Sequence, residues 1–364
     1  MNRKILSVVS LFFLALTAFS DKPEFEPFGF VKGDMYYTLK GKAQSYGTQA
    51  LTCVSTASEN GGEGISFTAQ HTRLGLKGSA EFKGIPFGGL VSLDFFTVAS
   101  DANVNPRMRQ AYTWIKPIKG LDIRIGQQWD VFSPLNPTTN NTNANLWFNG
   151  NYGFRRAMIQ VLYTIELEKM FHRIQFSAGE GAKEEEGLGT DNLSGVPMVQ
   201  TRLSSNLLNK IEIGVSGLYA AFYKDWEIEA AGFSVDLSAP LHKYFSLKGE
   251  YAFGQNLHNA NIFTLGGSRE IEDTSEVITS GYWYNATSKL TDFLHLTFGM
   301  GQEFITSEVA EGEIDMNSTI YGMLNIPIGE HFALAGEVQY IKTDRKDTEA
   351  SEAAIVDVSG KISF

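Results

Sequence analysis

The sequence predicts an all-β chain: a transmembrane antiparallel β-barrel of sixteen strands, with short periplasmic turns and long extracellular loops. Three observations carry that expectation. Apolar and polar residues alternate with period two in segment after segment, which is the pattern of a strand with two unlike faces. The links between these segments alternate in length. The alternating faces put charge on one side and aliphatic or aromatic residues on the other, as a barrel does when lipid lies outside and water inside.

The amino terminus comes first. Residues 1–20, MNRKILSVVSLFFLALTAFS, place Arg3 and Lys4 before an apolar run from Ile5 to Ala18 and end on Ala18-Phe19-Ser20. This is the three-part pattern of a secretory signal peptide with cleavage after Ser20. The apolar run is shorter than the roughly 20 residues a membrane-spanning helix needs, and no later stretch is long enough either. The expected domain organisation is a leader, 1–20, and a single barrel, 21–364.

Composition narrows the class. With 41 acidic against 30 basic residues the net charge is −11, and loss of the leader makes the rest more acidic still. Such a chain is not expected to bind nucleic acid, because phosphate contacts need a cationic surface. The single cysteine, Cys53, excludes an internal disulfide framework. Abundant glycine, 36 residues, and 12% aromatics against 10 prolines suit closely packed strands.

The alternating segments are 27–39, 64–79, 87–98, 107–117, 121–130, 154–165, 171–180, 196–204, 210–220, 227–239, 243–254, 277–289, 293–303, 314–327, 331–342 and 352–364. Every second link is short: AEFKGIP, IKG, ELEKM, SNLLN, PLH, LTD and IGE. The remaining links, at 40–63, 99–106, 131–153, 181–195, 221–226, 255–276, 304–313 and 343–351, are mostly longer and polar. Short turns at one end and loops at the other are what an even-stranded outer-membrane barrel requires. A soluble sandwich has no reason to sort its connections in this way.

The faces agree. In 352–364, Ala354, Val356, Val358, Gly360, Ile362 and Phe364 share one side, with Asp357, Ser359, Lys361 and Ser363 on the other. In 121–130, Leu121, Ile123 and Ile125 oppose Asp122, Arg124 and Gln128. Aromatic residues gather near strand ends: Phe28, Phe30, Tyr36, Tyr37, Phe95, Phe96, Tyr112, Trp114, Tyr282 to Tyr284 and Tyr340. They are expected to form girdles at the two membrane interfaces.

No catalytic, cofactor-binding or metal-binding pattern stands out, so catalytic, cofactor and metal sites are all assigned as none. There is no nucleophile elbow, zinc helix, P-loop or dinucleotide fingerprint. His71, His172, His242, His258, His295 and His331 are scattered, and Glu184 to Glu186 fall in a polar link. The cations are more telling. Lys32, Arg73, Lys77, Arg107, Arg109, Arg124, Arg156 and Arg202 all fall on the polar faces, with Gln128, Gln160 and Gln200 beside them. A guanidinium facing lipid near mid-membrane costs about 2–4 kcal/mol, so these side chains are expected to line a lumen. A lumen rich in Arg and Lys attracts anions. The competing expectation is that they pair with inward carboxylates such as Asp34, Asp94 or Asp122 and brace the wall. The Asn-rich link 131–153, NPTTNNTNANLWFNGN at its centre, is the third outer loop and the candidate to fold inward and narrow the pore.

These residues resemble a known family. GFVKGDMYY at Gly29–Tyr37, HTRLGLKG at His71–Gly78, RMRQAYTW at Arg107–Trp114, GQQWDVFSPLNP at Gly126–Pro137 and YGFRRAMIQ at Tyr152–Gln160 are similar to motifs of the DcaP-like outer-membrane porins. The likeness is strongest over 28–165. It implies a trimeric sixteen-stranded porin with a cationic lumen favouring small carboxylates, and Arg107, Arg109 and Arg156 on the pore wall. Some members carry an amino-terminal helical extension. Here only DKPEFE stands between the leader and the first strand, so the trimer is expected to form through the barrel wall. The expected function is passive diffusion of small hydrophilic solutes, anions such as dicarboxylates above all, through the bacterial outer membrane among lipid and lipopolysaccharide. An outer-membrane enzyme, or an adhesin or structural barrel with a blocked lumen, is the alternative.

Overall fold

The computed structural model describes residues 23–40, 63–95, 105–141, 146–181, 197–208, 210–223, 227–260, 262, 264–265 and 276–364. The leader, Cys53, Phe96 and Glu184 to Glu186 lie outside them. The strands, in chain order, are β1 (Glu24–Lys40), β2 (Gly64–Thr68), β3 (Arg73–Phe82), β4 (Ile85–Asp94), β5 (Arg107–Ile115), β6 (Leu121–Trp129), β7 (Arg155–Leu167), β8 (Met170–Gly179) and β9 (Met198–Leu207). They continue with β10 (Ile211–Tyr223), β11 (Glu227–His242), β12 (Phe245–Gln255), β13 (Ile278–Thr291), β14 (Leu294–Ile305), β15 (Ile314–Ile328), β16 (Phe332–Arg345) and β17 (Ser351–Ser363).

From β3 to β17 each strand pairs antiparallel with the next, and β1 closes the sheet by pairing with β17, Phe30 opposite Ser363 through Lys40 opposite Ala354. The strand expected over 64–79 is interrupted. Its upper part, β2, pairs with Asp34–Thr38, and its lower part, β3, with Glu24–Phe30. The two together are one barrel strand, so the closed barrel has sixteen. At the break Thr72 takes over the ladder: its Oγ1 accepts from the Lys32 N–H at 3.1 Å and donates to the Lys32 carbonyl. The break turns His71 inward, fully buried, with Nδ1 2.8 Å from Asp34 Oδ2.

Side-chain alternation sorts the two surfaces. On β9, Met198, Gln200, Arg202, Ser204 and Asn206 point inward and are buried, whereas Leu203 and Leu207 are exposed outside. On β17, Asp357 and Ser359 are buried while Val358 and Ile362 are exposed. The outward surface is therefore apolar and the packed interior polar, the reverse of a soluble domain.

At one end the links are tight. Lys83 and Gly84 have φ of +51° and +80°, the pair of positive values that a two-residue type I′ hairpin requires. At the other end two links turn back inside. Residues 131–141 and 146–153 cross the interior, and a one-turn 3-10 helix, Leu257–Ala260, follows β12 inward. Phe132, Tyr152, Met198, Leu218, Ala252, Leu257, Ala260 and Ile262 form an apolar cluster between these loops and the wall.

The aromatic girdle is only partly formed. Tyr284 and Tyr340 are exposed on the outside. Phe30, opposite inward-facing Ser363, and Tyr112 and Trp114, on the face shared with Arg124, point to the interior instead. Period two explains the phenylalanines, since Phe28 and Phe30 share parity with Lys32 and Asp34, and the register shift at Arg109 turns Tyr112 and Trp114 inward.

Candidate functional site

The interior is divided by charge. Along the wall from β17 through β1 to β9 cations outnumber acids among the inward groups, and from β12 to β16 the buried glutamates are met by loop donors.

One cross-strand row organises the cationic side. Arg73 on β3 stands opposite Asp94 on β4, which stands opposite Arg107 on β5. Arg107 Nε and Nη2 donate to the two Asp94 oxygens at 2.9 and 2.7 Å, and Arg109 Nη1 donates to Oδ2 at 2.7 Å. A β-bulge between Ser92 and Leu93, opposite Arg109, lets both arginines reach one acid. The charge of Arg155 is felt here too: Arg109, Arg107, Asp94 and Arg73 are its electrostatic neighbours. Its guanidinium lies 4.9 Å from the Trp129 ring centre, and Nε and Nη1 have no hydrogen-bond partner among the described residues. Two guanidiniums thus bond one carboxylate, and a third, Arg73, stands across from it.

The remaining sequence-predicted residues fall into two groups. Arg124 donates to Asp122 at 2.8 Å and is part-exposed, and Lys77, more open still, pairs with Glu26 at 3.0 Å. The others are buried. Lys32 is ion-paired with Asp34. Arg202 holds Asp236 through two bonds of 2.9 and 2.7 Å and reaches Glu212 at 3.0 Å. Gln160 is buried on β7, and the buried Gln128 amide has no hydrogen-bond partner among the described residues.

Arg156 differs from Arg107 in what it does. Its Nε and Nη2 donate to Asp130 at 2.7 and 2.9 Å, and Nη1 donates to the Ala260 carbonyl at 2.9 Å. Gln200 joins the same knot, donating to Asp130 while its Oε1 accepts from the Val131 and Phe132 N–H groups at 2.7 and 2.8 Å. This knot roots both inward loops at the wall.

Three buried glutamates hold the loops on the far side, and sequence reasoning did not single them out. Glu250 on β12 accepts from Ser133 Oγ at 2.8 Å and the Leu135 N–H at 2.7 Å. Glu303 on β14 accepts from Thr264 Oγ1 and, at 2.8 Å, from the Leu265 N–H. Glu337 on β16 accepts from the Asn140 N–H at 2.7 Å. Asn285, Asn317 and Ser359 add bonds to Thr138, Asn149 and Asn140. Each acid faces inward on an alternating strand, the one signal that could have marked it. Burial, then the Glu303 charge, pushes the pKa of the loop hydroxyl of Tyr152 well above its ordinary value, so it stays protonated.

Among the described residues no group of three or more His, Cys, Asp or Glu side chains is placed to hold a metal ion.

A closed sixteen-strand antiparallel barrel with an apolar exterior, a charged interior and loops folded inside is the fold of an outer-membrane porin. The crystal structure of the outer membrane channel DcaP of Acinetobacter baumannii has this architecture, with a TM-score of 0.78 and 18% identity over 95% of this chain and 99% of that one. An anion-selective porin from Comamonas acidovorans gives 0.62 and 13%, over 94% and 100% of the two chains. The trimer form of OmpT, an outer membrane protein of Vibrio cholerae, gives 0.59 and 10%, over 94% and 100%. No family model and no curated protein matches the sequence.

Proposed function

We propose that the chain is an outer-membrane diffusion channel for small hydrophilic solutes, with a preference for anions such as small dicarboxylates. The observation that carries the preference is the row at Asp94, where Arg107 and Arg109 bond one carboxylate and Arg73 stands opposite it. Such an arc keeps an excess of positive charge whichever arginine the acid neutralises, and fixed guanidiniums in a narrow passage concentrate anions. On the opposite side the backbone donors of the inward loops face Glu250, Glu303 and Glu337. These acids are engaged by the protein and are poorly placed to attract cations.

In this reading the loop 131–153 narrows the passage beside the arginines. The short-turn end faces the periplasm, residues 1–20 are a cleaved leader, and the apolar exterior meets lipid and lipopolysaccharide. Three barrels associate through their walls. The trimer form of the structurally similar OmpT supports the last point, and the anion-selective porin supports the charge preference, each as a property of that protein. No enzymatic activity is proposed.

Planar bilayer recordings in a potassium chloride gradient test the reading. The expected reversal potential indicates anion preference, reduced when Arg107 and Arg109 are both replaced by alanine. A cation-selective wild-type channel would refute the preference. A second reading has one observation in its favour: two loops dock inside the barrel, as they would in a blocked structural barrel. Liposome swelling separates the two, since a blocked barrel admits neither sugars nor small acids.

A further inference from the structure

Near the short turns the inward aromatic rings gather on one side, whereas Trp283 and Tyr321 of the facing wall lie deeper, against Leu146 of the inward loop. In the short-turn half of the barrel, Phe28 and Phe30 on β1, Tyr112 and Trp114 on β5, and Phe171 on β8 face the interior. Phe30 pairs with inward Ser363, Trp114 with inward Arg124, and Phe171 with inward Asn206. All five are part-exposed. The facing wall at this level is built from small or polar side chains, among them Ser246, Thr287, Thr297, Asn325 and Ala335, on registers that place them inward with buried Asn285 and Thr297.

Four of the five rings carry a cation. Arg73 lies 5.5 Å and Lys361 5.6 Å from the centre of Phe30. Arg124 lies 5.7 Å from Tyr112, Lys116 5.2 Å from Trp114 and Arg173 5.0 Å from Phe171. These distances are within the reach of a cation–π contact. They place a positive charge beside each ring, at a separation that a carboxylate and an aromatic body on one small molecule can span.

We propose that this wall is a binding subsite for anions that carry a planar aromatic body. It deepens the diffusion-channel reading and rests on it. A carboxylate brought to Arg73 or Lys361 sets its attached ring against Phe30, and the same fit recurs at Tyr112 with Arg124 and at Phe171 with Arg173. An aliphatic anion of equal charge and bulk makes the charge contact and lacks the ring contact. The wall therefore discriminates by the shape and π-surface of the solute, while the arginine row at Asp94 discriminates by charge.

The experiment is a bi-ionic reversal-potential measurement on the full-length protein in planar bilayers, comparing sodium benzoate with sodium cyclohexanecarboxylate, each against chloride. Benzoate is expected to be the more permeant by roughly three- to tenfold, the equivalent of one aromatic stacking contact. The ratio should fall toward unity in the combined Phe30→Leu, Tyr112→Leu and Phe171→Leu variant, with potassium chloride conductance preserved as the check on folding. A wild-type ratio of one overturns the subsite, and needs no variant. A ratio that the folded triple variant leaves unchanged overturns it equally. Failure of the channel reading looks different: absent conductance, or cation preference in potassium chloride alone, removes both conclusions together.

Discussion

The backbone N–H of Asn140 donates to Oε2 of Glu337 at 2.7 Å, joining residues 197 positions apart across the interior of the barrel. The acid is buried, and its other oxygen accepts from the Gln339 amide at 2.5 Å. Replacing Glu337 with leucine removes the acceptor and leaves the Asn140 N–H buried and unmet, at a cost of about 1–3 kcal/mol. The loop tip should loosen, seen as greater open-channel noise in single-channel records and faster chymotrypsin cleavage within 131–153, which holds Phe132, Trp147, Phe148 and Tyr152. Glu337→Gln keeps an acceptor and should lie between the variant and wild type.

Asp94 accepts hydrogen bonds from both Arg107 and Arg109. Asp94→Asn should strengthen anion selectivity, because the guanidiniums lose their internal counter-charge. It should also weaken the fold by about 3–5 kcal/mol, the usual consequence of removing one partner of a buried pair. Reversal potential and the temperature of the heat-modifiable mobility shift report the two effects, which should move in opposite senses.

Arg156 makes the opposite case. Its bonds run to Asp130 and to the Ala260 carbonyl, so it ties two loops to the wall. Arg156→Gln should lower thermal stability by a similar amount and alter ion selectivity less than the Arg107 and Arg109 double alanine variant. If it shifts the reversal potential as strongly, its place is on the conducting path.

Gly150 sits at φ +89°, and a Cβ there would strike the Tyr282 backbone. Both the left-handed backbone and the close approach demand glycine. Gly150→Val should unseat the segment 146–153 and raise single-channel conductance. Gly84→Ala, in a short hairpin turn with open space around it, should cost about 1 kcal/mol and leave conductance unchanged.

Most of the barrel could be read from alternation alone, because each strand in a closed sheet of this kind has one dry and one wet face. The interrupted strand was harder to read. The outward residues are Ile65 and Phe67 before the break and Leu74 after it, so the period-two phase slips by one between β2 and β3, and the Thr72 contact with Lys32 shows that a side chain carries the ladder there. Pairing of Lys32, Arg107, Arg109 and Arg124 with Asp34, Asp94 and Asp122 was legible from shared parity. Arg155 was not, since strict alternation from Arg156 would send it outward. Glu250, Glu303 and Glu337 were equally silent. Their partners are backbone N–H groups of distant loops, and a backbone donor leaves no mark in the residue type. The inward rings of Phe28 and Phe30 were visible in principle, and the girdle expectation set parity aside.

The bond from Asn140 to Glu337 and the bond from Ser359 to Asn140 span 197 and 219 positions. A loop near the middle of the chain is thus fastened to strands that are made last, one of which also pairs with β1. The tip of the loop at Asn140 gains these two anchors only when β16 and β17 are in place, so the last step of its seating and closure belong to one late event in assembly. Contacts this remote in sequence form slowly. A chain truncated before β16 should therefore lack more than its final wall: the tip of its third loop would have lost its two bonds at Asn140 as well.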